Sequence, residues 1–133
     1  MPAKYKPGIC IDFDGVIHSY TSPWLTATEI PDPPVPGAFE AIARYINAGF
    51  LVHIHSCRCS TRPAIRAIRA WFLRNGGEVL LRHLKFAERK PKALLYIDDR
   101  GFRFEGAFPT PEEILAFKPW NKRAQSDKSG NCS

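Results

Sequence analysis

Gly8-Ile9-Cys10-Ile11-Asp12-Phe13-Asp14-Gly15 is the stretch on which the reading of this 133-residue chain turns. Residues 8–13 form an apolar, β-branched run introduced by Pro7, too short for a buried helix and suited to a buried strand. The run ends in two aspartates, so the chain leaves the apolar layer at Asp12 and reaches the edge of a sheet. On extended backbone, residues two apart point to the same side, which aims Asp12 and Asp14 together.

Outward from that strand the punctuation is regular. Residues 14–36 carry Pro31, Pro33, Pro34 and Pro36, too many prolines for one helix, and the segment is too long for a tight turn. Residues 37–48 place Ala38, Ile42 and Ile46 at helical spacing and stop before Gly49. Residues 50–55 (FLVHIH) read as a second strand. Residues 62–75 predict a second helix, with Ile65, Ile68 and Phe72 on one face and Arg62, Arg66 and Arg69 along another. Residues 78–81 are expected as the third strand and residues 93–97 (ALLYI) as the fourth. Thr110-Pro111-Glu112-Glu113 has the form of a capping box opening a short helix to Phe117. The polar residues after Trp120 read as a frayed tail, so one domain is expected over residues 1–120 and a flexible tail over 121–133. Strands alternating with helices predict an α/β fold, a three-layer, doubly wound parallel sheet. Ligands in such sheets bind beyond the carboxyl ends of the strands.

Composition narrows the classes. No apolar run approaches the roughly 20 residues of a membrane helix, and the first residues do not read as a signal peptide, so a cytoplasmic protein without membrane contact is expected. Cys57 and Cys59 lack a matching second pair and read as two reduced thiols in a loop rather than a metal knuckle. The net charge is +6, and it is uneven: residues 58–92 hold ten basic and two acidic side chains, a net +8. That concentration suits a polyanionic partner.

The residues just past the expected strand ends are chemically coherent. Asp12, Asp14 and Gly15 follow the first, Ser56 the second, Asp98 and Asp99 the fourth, and Lys90 precedes the fourth. Four carboxylates brought to one edge repel unless a hard cation neutralises them, and oxygen ligands suit Mg²⁺. One aspartate of the pair can attack phosphorus while its neighbour exchanges a proton with the leaving oxygen. Ser56 and Lys90 can orient the phosphoryl oxygens.

In this arrangement Asp12-Phe13-Asp14-Gly15-Val16 resembles the first motif of haloacid dehalogenase-like phosphatases. Ser56 after an apolar strand resembles the second, Lys90-Pro91 the third, and Asp98-Asp99 the fourth. The resemblance implies that Asp12 is the nucleophile and a metal ligand. Asp14 would be the general acid/base and bind metal through its backbone carbonyl, with Asp98, Asp99 or both completing the Mg²⁺ site. Lys85 and Lys92 compete with Lys90 for the phosphate-binding role. Ser56-Cys57-Arg58 and Ile97-Asp98-Asp99-Arg100 are further similar to the phosphatase domain of phage-type polynucleotide kinases, which removes 3′-phosphates from nucleic-acid ends. By that likeness Gly15 and Arg58 join Ser56 and Lys90 in holding the substrate phosphate.

Neither gap between motifs has room for a cap domain, so an open site is expected. His18, Tyr20 and Trp24 would either line its mouth or pack the flap formed by residues 15–36. His53 and His55, alternating with Val52 and Ile54, read as satisfied strand histidines rather than ligands. The expected activity is an Mg²⁺-dependent phosphomonoesterase acting on nucleic-acid ends or nucleotides, as a monomer or weak dimer. The alternatives are a phosphatase of phosphoproteins or small metabolites, and a non-catalytic nucleic-acid-binding module on the same fold.

Overall fold

β1 (Gly8–Asp12) is central, buried from Ile9 onward, in the computed structural model, which describes residues 6–122. β2 (Leu51–His55) pairs with it in parallel, Ile9 beside Val52, Ile11 beside Ile54 and Asp12 beside His55. β3 (Leu84–Ala87) lies outside β2, and β4 (Leu95–Ile97) flanks β1 on the other side with Ile11 beside Ile97. The result is an α/β fold around a four-stranded, all-parallel sheet of order β3-β2-β1-β4, flanked by helices.

Alternate strand residues share a face. Ile9, Ile11, Val52, Ile54 and Leu84 pack with Ile42 of α1 (Ala38–Asn47) and with Ile68, Trp71 and Phe72 of α2 (Arg62–Arg74). Both steps, β1 to β2 and β2 to β3, move the same way across the sheet, so right-handed crossovers put both helices on one face. Phe13, at the end of β1, meets the Trp71 ring edge-on at 5.1 Å, and both are fully buried. Each such aromatic contributes about 1.5–3 kcal/mol by leaving water. The return from β3 to β4, residues 88–94, crosses back without a helix.

Local signals explain the element ends. Gly49 takes φ 95° directly after the last turn of α1, a conformation that favours glycine. The Thr61 hydroxyl accepts from the Ala64 N–H at the start of α2. Thr110 and Glu113 form the expected reciprocal capping box of α3 (Pro111–Ala116), although this helix buries none of its own residues.

Three expectations need correction. Residues 78–81 are not a strand: Glu78–His83 is a 3₁₀ turn with Val79 exposed, and the strand is Leu84–Ala87. The Gly76-Gly77 pair lets the chain turn once more before extending, and the buried alternation falls on Leu84 and Phe86. Asn121 and Lys122 are not the start of a loose tail, because Trp120–Lys122 forms a 3₁₀ turn in which Lys122 is buried. Residues 123–133 lie outside the described part. Cys57 is disulfide-bonded, so the reading of two reduced thiols holds for Cys59 alone.

Candidate active site

Extended backbone stops at Asp12. The Phe13 carbonyl then accepts from the N–H groups of Val16, Ile17 and His18, and Gly15 takes φ 86°, closing a tight turn. The same-side expectation for Asp12 and Asp14 fails for this reason: the alternation rule applies only while the strand lasts.

Asp14 faces the loop of residues 19–36. Its carboxylate is fully buried, accepting from Arg58 Nε at 2.9 Å and Nη2 at 3.2 Å, and from His18 Nδ1 at 2.8 Å. His18 Nε2 accepts from the Asp32 N–H, which leaves Nδ1 as the donor. Arg58 Nη1 reaches the carbonyls of Thr26, Ala27 and Glu29, and Trp24 lies on the guanidinium at 4.4 Å. Arg58 is therefore a buried clamp between Asp14 and the loop, and the expectation that it grips a substrate phosphate is not met. The loop is fastened further by Trp71 Nε1 to the Asp32 carbonyl and Arg74 Nη2 to that of Ile30. His18 and Tyr20 are buried packing residues of this unit, and Trp24 serves Arg58.

Asp12 faces a cavity of about 270 Å³ at the carboxyl end of β1 and β4, lined also by His55, Lys90, Asp98, Asp99 and Arg100. The Asp99 carboxyl is its neighbour there. Burial, followed by the Asp99 charge, pushes the Asp12 carboxyl up to about 8, and burial raises that of Asp99 as well. Two carboxylates this close need a proton or a cation between them. Gly15 makes the approach feasible, since a Cβ there would lie 2.2 Å from Asp99 Oδ2. Asp99 Oδ1 is buried with no hydrogen-bond partner, and hard oxygen donors of this kind fit Mg²⁺. Asp12 and Asp99 are the side chains that would hold it. Among the described residues no three His, Cys, Asp or Glu side chains gather as a metal cluster. Of the four carboxylates expected to converge, Asp14 is clamped elsewhere, while Asp12, Asp98 and Asp99 line the cavity, Asp98 with its Oδ1 accepting from the N–H groups of Arg100 and Gly101.

Of the three candidate lysines, Lys90 borders the cavity, its Nζ 4.3 Å from the Tyr96 ring centroid. Lys85 sits within β3 beside His53, and Lys92 lines a separate recess with Gly8 and Leu51, at the start of the strands. Ser56 follows β2 but is fully buried, and its hydroxyl accepts from the Arg58 N–H. Sequence reasoning missed His55, Tyr96 and Arg100 as lining residues. His55 reaches the cavity because it stands beside Asp12 in parallel register. A second groove of about 510 Å³ continues along β4 past Lys90 and Tyr96 to Phe102 and Arg103. Arg62, Arg66 and Arg69 are exposed on α2, with Arg69 over the Phe86 ring at 5.6 Å. No family model, no characterised protein and no solved structure matches the chain.

Proposed function

We propose that the protein is an Mg²⁺-dependent phosphomonoesterase of the haloacid dehalogenase-like kind, in its capless form, with Asp12 as nucleophile. The Asp12–Asp99 pair carries this reading: a strand-end carboxylate, open to a cavity, is set against a second carboxylate with an unsatisfied buried oxygen. A pair arranged for stability alone would be matched to a cation of the protein, as Asp14 is matched to Arg58.

Bound between Asp12 and Asp99, Mg²⁺ would neutralise their charge and that of the phosphoryl oxygens. Lys90, which borders the same cavity, would hold a phosphoryl oxygen by charge. The Asp12 oxygen forms a bond to phosphorus as the ester P–O bond breaks, and water then cleaves the aspartyl-phosphate. Asp14 is held by Arg58 and His18, so the leaving oxygen would take its proton from water at the open cavity. The groove beyond Tyr96 has room for the rest of a bulky ester, and the arginines of α2 suit a polyanion, so nucleic-acid ends or nucleotides are the proposed substrates. No helix among the described residues is long and apolar enough to cross a membrane.

The test is a hydrolysis screen with and without Mg²⁺ across 3′- and 5′-phosphorylated oligonucleotides, mononucleotides, phosphopeptides, sugar phosphates and an aryl phosphate. Asp12→Asn should lower kcat by at least about a thousandfold, roughly 4 kcal/mol of barrier, with the fold intact. Salt-dependent oligonucleotide binding without Mg²⁺-dependent hydrolysis of any ester would favour the binding-module reading instead.

A further inference from the structure

The C-terminal 3₁₀ turn, Trp120–Lys122, lies against the loop that carries Asp12 and Asp14, although it is about a hundred residues away in sequence. Trp120 Nε1 donates to the Gly15 carbonyl at 2.7 Å. Asn121 Nδ2 donates to the carbonyls of Ser19 at 2.9 Å and Tyr20 at 3.3 Å. Lys122 is buried with its Nζ 4.3 Å from the centroid of the Tyr20 ring. Three consecutive side chains thus engage three points of one six-residue turn.

The first of these points is the sensitive one. Gly15 is the residue over which Asp99 reaches Asp12, packed so closely that even a methyl group would collide with Asp99 Oδ2. Its backbone adopts φ 86°, which glycine enters freely and also leaves freely. The N–H groups on either side are held within the turn, Gly15 by the His18 carbonyl and Val16 by that of Phe13, and the Gly15 carbonyl is held by the indole N–H of Trp120.

We infer that Trp120 is a positioning residue: by fixing the Gly15 peptide it sets the spacing of Asp12 and Asp99, with Asn121 steadying the rest of the turn. Trp120 touches neither carboxylate, so its influence passes through Gly15. The inference rests on the phosphatase reading, because its consequence is expressed in the carboxylate pair proposed to bind Mg²⁺ and substrate.

Full-length wild-type protein, Trp120→Phe and Asn121→Ala are compared for hydrolysis of an aryl phosphate at varied Mg²⁺, for thermal midpoint, and for hydrogen exchange at the amides of residues 15–20. Trp120→Phe keeps the ring and removes the N–H. It should lower kcat about tenfold, about 1.4 kcal/mol, while KM stays within about twofold. The Mg²⁺ concentration for half-maximal rate should rise severalfold, and exchange at the turn should quicken. Asn121→Ala should show the same pattern, weaker. Wild-type kcat and Mg²⁺ requirement in both variants would overturn the inference, as would a kcat loss that vanishes well below both melting temperatures. A wild-type chain with neither hydrolysis nor an Mg²⁺-dependent change in exchange at these amides would overturn the phosphatase reading, and the inference with it.

Discussion

The two sides of the Asp12-Phe13-Asp14 turn are built on opposite electrostatic plans. On the loop side, Asp14 meets a guanidinium and an imidazole N–H, and both of its oxygens are engaged. On the cavity side, Asp12 meets another carboxyl, whose outer oxygen has no partner. A buried acid matched to a cation of the chain builds structure. A buried acid set against a second acid keeps a demand for charge that something from solution must meet. Two residues of the same type, two positions apart, are divided in this way by one turn.

The comparison breaks most visibly on the loop side. Arg58→Ala leaves the Asp14 carboxylate buried without its cation and should cost about 3–5 kcal/mol, measured by denaturant unfolding. Arg58→Ala together with Asp14→Asn should recover part of that loss. A cost below about 1 kcal/mol in the single variant would mean that the clamp is not a structural element.

Gly15→Ala tests the peptide shared by both sides. It forces a side chain into positive φ and into Asp99, so stability should fall by about 1–3 kcal/mol. Hydrolysis should fall more than stability requires at temperatures where the variant is fully folded.

The effect most specific to the cavity side is read through pH. A carboxyl that holds its proton more tightly in the folded chain than in the unfolded one stabilises the fold below its ordinary value of 3.8. That contribution is lost as pH rises towards about 8. In chelator, the melting temperature should therefore decline between pH 4 and pH 8. Asp99→Asn should make the decline shallower, and Mg²⁺ should offset it at pH 8. A midpoint that rises with pH over this window would refute the account of the Asp12–Asp99 pair.

Much of the fold was legible because its signals are local. The apolar runs of β1 and β2, the Gly49 stop, the Thr61 start and the Thr110–Glu113 box depend on neighbours within a few residues. The third strand was misplaced because Val79, Leu80 and Leu81 supply the apolar character of a strand, while only the tertiary core decides that Leu80 is buried from a 3₁₀ turn and that the extended backbone begins at Leu84. At the cavity, Asp12 and Asp99 were legible from their places after strand ends, and Lys90 from the proline that follows it. The diversion of Asp14 was not, because it depends on Arg58 arriving 44 residues later and on a turn beginning at Phe13. His55 needed the register of β1 against β2, and Trp120 needed a contact that no spacing rule describes.

The position of β4 beside β1 also bears on how the protein is made. As the ribosome releases the chain, β1, β2 and β3 with both core-forming helices become available long before Leu95–Ile97. Until then the central strand is an edge strand, its unpaired N–H and C=O groups open to any other extended segment, the situation in which nascent chains aggregate. Asp99 is synthesised just behind the strand that closes this edge. Completion of the sheet and arrival of the second carboxylate are therefore one event in biosynthesis, and a chain stalled before β4 carries Asp12 at an open sheet edge without Asp99 beside it.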